Sequence, residues 1–169
     1  MFGKKLSKQE KEQFLSIALP GKKNLEKGEK GRVLYALNKG KLNESDLREI
    51  FPKEYKDFKE LKKKQGKILG FFDKTNYVHK YFFTVYNRGH TFKVKPAKVV
   101  GFKAERREGE NQMNAKVKYP NGRIEEKGLE IFPGVKIDLN LNNYVLVHRG
   151  AVCQKITKEE YEKILEEYQ

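Results

Sequence analysis

Few side chains in this sequence have the types and spacing for chemistry. His148 and the single cysteine, Cys153, lie five residues apart in a stretch that reads as strand. A thiol beside an imidazole is the pairing that a Cys–His nucleophile needs. An odd offset along one strand sets the two side chains on opposite faces, and a bulge at Gly150 would bring them to one face. The plain alternative is a small buried thiol and a histidine whose ring hydrogen-bonds a carbonyl. His79 and His90 are on different elements, without the close spacing of zinc ligands. Glu125-Glu126 and Glu159-Glu160 read as turn and cap residues rather than an acid–base pair. No P-loop, no G-x-G-x-x-G and no G-x-S-x-G occurs. The expectation is a non-enzymatic protein with no catalytic residue, no metal site and no cofactor.

Binding chemistry is better represented. The net charge is +14, from 37 Lys and Arg against 23 Asp and Glu. Residues 1–91 carry 22 basic against 11 acidic side chains, and residues 92–169 carry 15 against 12. Lysine dominates, and a hydrated ammonium is a poor bidentate reader of bases. Lys and Glu enrichment is also the hyperthermophile pattern, so the excess reads either as solvated surface or as a face for an anionic partner such as RNA. The densest run is Lys59, Lys62, Lys63, Lys64 and Lys67. In a helix Lys59, Lys63 and Lys67 share a face. In the second half Arg106, Arg107 and Arg123, with the aromatics Phe92, Phe102 and Tyr119, could bind single-stranded nucleic acid by charge and stacking.

The elements that must position these residues differ between the halves. In residues 1–90 a basic helical domain is expected. Ser7-Lys8-Gln9-Glu10 fits a capping box, Phe14, Leu15, Ala18 and Leu19 form a helical stripe, and Pro20-Gly21 ends it. A second helix is expected from about residue 24 to 38, with Val33, Leu34 and Leu37 inward. A third starts near Ser45, breaks at Phe51-Pro52 because the residue before proline avoids helical angles, and resumes through Tyr55, Phe58 and Leu61. Its apolar face continues past Gly66 as Ile68, Leu69, Phe71 and Phe72. Residues 76–87 suit a buried helix, though their Phe, Tyr and Val content also suits a strand.

Arg88-Gly89-His90 reads as a boundary to residues 91–169. Strands are expected over 92–102, 115–119, 123–127, 129–132, 144–148 and 151–156. Glu108-Gly109-Glu110-Asn111 and Pro133-Gly134 are turns. Pro120-Asn121-Gly122 signals a hairpin, since Asn-Gly tolerates positive φ at both positions. Thr157-Lys158-Glu159-Glu160 is a second capping box, with Ile156 and Tyr161 as its hydrophobic staple. Short strands at near-regular spacing favour a small barrel. The fold class expected is α+β, an N-terminal helical domain and then a small OB-like β-barrel closed by a C-terminal helix.

No stretch approaches 18 apolar residues, so no membrane partner is expected. Met1-Phe2-Gly3-Lys4-Lys5 does not lead into an apolar signal segment. One cysteine excludes an internal disulfide. A cytoplasmic location is the expectation.

Residues 144–156, YVLVHRGAVCQKI, with the acidic helix after them, resemble the closing signature of the hydrogenase-assembly chaperones of the HypC/HupF type. Lys95-Pro96-Ala97-Lys98-Val99-Val100 is similar to that family's N-terminal I-P-G-K-V-V. The resemblance spans about 92–169. It implies an OB-like barrel and a protein partner, a hydrogenase large subunit or a maturation scaffold. It places His148, Gly150, Pro96 and Lys98 at the partner-binding surface. The family's iron-holding Cys would fall three residues before Pro96, where Lys93 stands after Phe92. Two functions therefore stand, a chaperone-like protein binder without the iron-holding thiol and a basic RNA- or ribosome-associated module.

Overall fold

The computed structural model describes residues 5–22, 28, 31, 33, 42–68, 76–132 and 135–168. The chain divides into two compact units, residues 1–18 with 22–90, and residues 19–21 with 91–169.

The first unit is helical. Helix α1 spans Lys8–Ala18; the 3₁₀ turn that follows it in the chain, Leu19–Gly21, belongs to the second unit. The start of α1 is fixed by a complete capping box: the Glu10 N–H donates to Ser7 Oγ at 3.1 Å, and the Ser7 N–H donates to Glu10 Oε1 at 3.2 Å. Helix α2 spans Glu44–Ile50 and α3 spans Pro52–Ile68. Between them Phe51 leaves the helical region, at φ −125° and ψ 63°, as a residue before proline should. Gly66 does not interrupt α3. Helix α4, Tyr77–Tyr81, starts on Asn76, whose side-chain oxygen accepts from the Val78 and His79 N–H groups. It continues as a π-helical turn over Phe82–Tyr86 and ends in α5, Asn87–Gly89. The helical alternative for residues 76–87 is therefore the one adopted. Of the helix expected over 24–38, only Gly28, Gly31 and Val33 are described; they are helical and Val33 is buried. Leu34, Leu37, Leu69, Phe71 and Phe72 lie outside the described residues.

Phe14 holds this unit together. Its ring lies 5.9 Å from Phe51, 5.5 Å from Phe58, 6.0 Å from Tyr81 and 5.6 Å from Phe82, centroid to centroid. Four elements thus meet on one aromatic side chain, and each ring pair adds on the order of 0.5–1.5 kcal/mol beyond burial.

The second unit is built on seven strands among the described residues: β1 Val94–Arg107, β2 Glu110–Lys118, β3 Ile124–Gly128, β4 Glu130–Phe132, β5 Val135–Lys136, β6 Tyr144–His148 and β7 Ala151–Ile156. Five of them close into a ring in the order β1-β2-β3-β7-β6. All its pairings are antiparallel except β3 with β7, which meet in parallel at Gly128 and Ala151 alone. Strands β4 and β5 form a separate two-stranded sheet. Ala97, Val99, Ala115, Val117, Val145, Val147 and Val152 fill the ring interior with Tyr119 and Leu139. Helix α6, Lys158–Tyr168, packs on β1 and β6. The Glu160 N–H donates to Thr157 Oγ1 at 3.1 Å, and the hydroxyl donates to Glu160 Oε1 at 3.3 Å, so the box returns through the hydroxyl. The Tyr161 ring packs against that of Tyr144, with centroids 4.6 Å apart and the rings tilted by 41°.

Two turns differ from expectation. The β1–β2 turn is only Glu108-Gly109, both at positive φ (51° and 81°). At Asn121-Gly122 only Gly122 has positive φ, 88°, because Pro120 presets the negative φ of the preceding turn position. Of a bulge or a bend at Gly150, the bend is adopted: Arg149-Gly150 is the β6–β7 turn, and Arg149 takes the left-handed conformation at φ 56°. The bulge falls three residues later. Leu146 pairs with Gln154 and Val147 with Val152, leaving Cys153 as the extra residue. Glu125 and Glu126 lie on β3 rather than in a turn.

Candidate functional site

Directly opposite residues in an antiparallel ladder share a face. Lys95 is opposite Val147 and Ala97 is opposite Val145, so Lys95 lies on the interior face of the ring. Glu125 is opposite Val117 and Lys127 is opposite Ala115, so these two are also on the interior face. A charge in such a place must be partnered or reach water. Both happen at one mouth of the ring. A cavity of about 380 Å³ opens there, lined by Thr91, Phe92, Lys93, Lys95, Tyr119, Glu125, Lys127, Val147 and Arg149. Its floor is Val147 and Tyr119, members of the packed interior.

The mouth is wired through Glu125. Lys127 Nζ is 3.0 Å from Glu125 Oε2 and donates to the Arg149 carbonyl at 2.8 Å. The Tyr119 hydroxyl donates to Glu125 at 2.9 Å, and Arg123 Nε lies 3.0 Å from the other carboxylate oxygen. The Lys127 hydrogen bond, chiefly, holds the Glu125 carboxyl below its ordinary range against partial burial, with Tyr119 assisting. Burial pushes the Tyr119 phenol up, and its bond to Glu125 adds to that. Glu125 is thus ionised at neutral pH. Against it stand Lys93, Lys95, Lys127 and Arg149, leaving the lining with a cationic excess of three. Two of these cations sit over rings. Arg149 Cζ is 4.3 Å from the Phe92 centroid and Lys95 Nζ is 5.6 Å from that of Tyr119. Phe92 is 51% exposed, so its ring remains open to a further planar group. Such a lining can bind an anion and stack a flat ring. Its one carboxylate, Glu125, is engaged by Lys127, Tyr119 and Arg123.

The residues singled out from sequence are scattered relative to this mouth. Phe92 and Tyr119 line it, with Tyr119 as floor rather than exposed platform. Arg123 is at its edge through Glu125. Phe102 is half-buried and packs against the ring interior. Arg106 is exposed on β1, and the side chain of Arg107 lies outside what is described. His148 is fully buried, and Pro96 is buried. Both are on the face of β1 and β6 opposite the ring interior, because His148 pairs with Val94 and Pro96 with Leu146. Neither side chain is exposed in this structure, unlike the surface position that the resemblance implies for them. Lys98 is half-buried with Nζ 5.7 Å from the Tyr144 ring centroid, and Gly150 is exposed in its turn. Cys153 is buried, burial pushes its thiol far up, and Sγ donates to the Leu146 carbonyl at 3.2 Å. It pairs with no base. Among the described residues, no three His, Cys, Asp or Glu side chains gather as a metal site would require, and no helix is long and apolar enough to cross a membrane.

The lysine run on α3 is partly committed within its own unit. Lys62 Nζ lies 2.9 Å from Glu10, and Lys59 Nζ lies 3.5 Å from Glu44. Lys63 and Lys64 are exposed; the Lys67 side chain is outside what is described. Burial raises Glu44, but hydrogen bonds from Tyr55 Oη at 2.6 Å, the Leu6 N–H and Lys59 outweigh it and hold its carboxyl low. Burial, then Glu44, pushes the Tyr55 phenol up to about 12.

Lys93, Lys95, Lys127 and Arg149 were not legible as one site. Lys95 does follow the same two-residue phase as Ala97 and Val99, a charge on the apolar phase of a strand. Comparison with protein-family models, curated proteins and solved structures finds no match.

Proposed function

We propose that this protein is a non-enzymatic, OB-type single-stranded RNA-binding protein whose second unit engages the strand at the ring mouth. One observation carries the proposal: the open Phe92 ring, with Arg149 stacked on it, sits at the edge of a cavity with a cationic excess of three. Base stacking on an aromatic platform beside a positive groove is how sequence-tolerant binders hold single strands. The closed five-strand ring with its parallel β3–β7 pair supports reading it as OB-like, a type of barrel that binds oligonucleotides. A short fluorescent single-stranded RNA, titrated by anisotropy across a salt series, tests this. With three cations engaged, log K should fall against log salt with a slope of about −2. No binding at low salt, or binding indifferent to salt, would overturn the proposal.

A second reading has one observation in its favour. Phe92 and Lys93, where the HypC/HupF resemblance would put its Cys, line the same cavity. A chaperone-like role would then use the mouth to hold a protein partner. Anaerobic affinity purification with mass spectrometry should in that case recover a maturation scaffold or a hydrogenase large subunit, and recovery of neither rejects it.

A further inference from the structure

The mouth is open to solvent on one side and closed on the other by the packed ring interior, and this bears on which part of a strand it takes. We infer that it binds the phosphorylated end of an RNA strand, the terminal nucleotide with its phosphomonoester, rather than an internal stretch; this rests on the RNA-binding reading above.

The cavity ends on Val147 and Tyr119. Behind them Ala97, Val99, Ala115, Val117, Val145 and Val152 are fully buried and close the ring interior. A strand passing through has no exit on that side. The volume, about 380 Å³, lies near the lower limit for small-ligand sites, which suits one nucleotide and not several. Charge points the same way. An internal phosphodiester carries one negative charge, whereas a terminal monoester carries about 1.5 to 2 at neutral pH, its second pKa being about 6. Lys127 is engaged by Glu125 and the Arg149 carbonyl. Lys93, Lys95 and Arg149 are then the cations for the ligand, more than a diester needs and suited to a dianion. Phe92, at the rim, is placed to stack the terminal base while these cations hold its phosphate. Arg149 is fixed in this arrangement by its left-handed backbone in the two-residue β6–β7 turn and by the carbonyl bond from Lys127.

The test uses the full chain and one RNA sequence in four forms: hydroxyl at both ends, 5′-phosphate, 3′-phosphate, and circular. One of the two phosphorylated forms should bind at least about fivefold tighter than the hydroxyl-ended form, the effect of added charge against partly exposed cations. Which one it is identifies the end. The preference should shrink at pH 5.5, where the monoester loses its second charge. Lys95→Met should abolish the preference while leaving the far-ultraviolet spectrum unchanged, since Lys95 is exposed. Equal affinity for all four forms overturns the end-binding inference and leaves RNA binding standing. Binding to none of them overturns both. A preference that survives Lys95→Met with undiminished size also rejects the assignment.

Discussion

Phe92→Ala separates a binding role for this ring from a structural one. The ring is 51% exposed, and its main intramolecular partner is the Arg149 guanidinium, 4.3 Å from its centroid. An exposed cation–π contact contributes about 0.5–1 kcal/mol, so the unliganded protein should lose no more than that. Removing a stacking platform costs about 1–3 kcal/mol per base. Arg149 also loses the surface that orients it toward the cavity. The combined loss in binding should therefore be about 1.5–3 kcal/mol, or roughly 10- to 150-fold in Kd. Met113 gives a matched control. It is 51% exposed, lies on β2 opposite Ala104, and does not line the cavity. Anisotropy titrations of Phe92→Ala and Met113→Ala against the same RNA at about 50 mM salt, with urea unfolding of each, make the comparison. If both variants bind as the parent does, or both lose affinity equally, the mouth is not the binding site. If Phe92→Ala loses affinity only in proportion to lost stability, the ring is structural.

Other expectations follow from the two units taken separately. Glu44→Gln weakens bonds from Tyr55, the Leu6 N–H and Lys59, and hydrogen bonds to a charged group are worth about 1.5–3 kcal/mol each, so a net loss of about 2 kcal/mol is expected in urea unfolding. Because the folded-state pKa of Glu44 is lowered, its contribution is complete above the unfolded value of about 4.3 and is lost as pH falls through the folded value; the variant should lack that part of the acid decline. The Cys153 thiol should react with a thiol reagent orders of magnitude more slowly in the native protein than in denaturant, and rapid native labelling would contradict its burial. Gly122→Ala should cost about 1 kcal/mol from backbone strain alone, since φ is 88° and nothing lies within 4 Å of the added Cβ.

What could be read from the sequence was what is determined locally. The Ser7–Glu10 box, the break at Phe51 and the hairpin at Pro120 each depend on a few consecutive residues. The turn type at Asn121-Gly122 was missed because Pro120 fixes the backbone one position earlier, and positive φ at both turn positions arose instead at Glu108-Gly109. The bulge at Cys153 is a relation between β6 and β7, so no inspection of either strand alone locates it. The lysine run on α3 was legible as a helical face. Its partners Glu10 and Glu44 come from distant positions, and they leave less of the charge for a ligand than the composition suggests. His148 was singled out by its place in the YVLVH motif and its spacing from Cys153, and the motif itself is an apolar strand. Strand β6 is buried on both faces, Val145 and Val147 toward the ring and Leu146 and His148 away from it, which is why the strand reads as a continuous run.

The mouth itself follows from how the ring closes. Strands β3 and β7 share only one parallel pair, so the ladder there is short. The Gly128 N–H bonds the Gly150 carbonyl at 2.8 Å, and Lys127 Nζ bonds the Arg149 carbonyl at 2.8 Å. Lys127, with only 16% of its side chain exposed, thus ties β3 to the β6–β7 turn while Glu125 balances its charge. This makes Lys127 a closing strut and leaves Lys93, Lys95 and Arg149 as the cations of the proposed ligand site. Lys127→Met removes two charge-assisted bonds, so it should lower unfolding stability by about 2–3 kcal/mol. Its effect on RNA binding should come through a displaced Arg149, and should therefore be small in Arg149→Met, where Arg149 is already absent. Lys95→Met should do the reverse, weakening binding without lowering the urea midpoint. Urea unfolding and anisotropy on the two single variants and the Lys127→Met/Arg149→Met double variant decide this. A stable Lys127→Met protein would show that the seam is closed without Lys127, and additive binding losses in the double variant would show that Lys127 contacts the ligand directly.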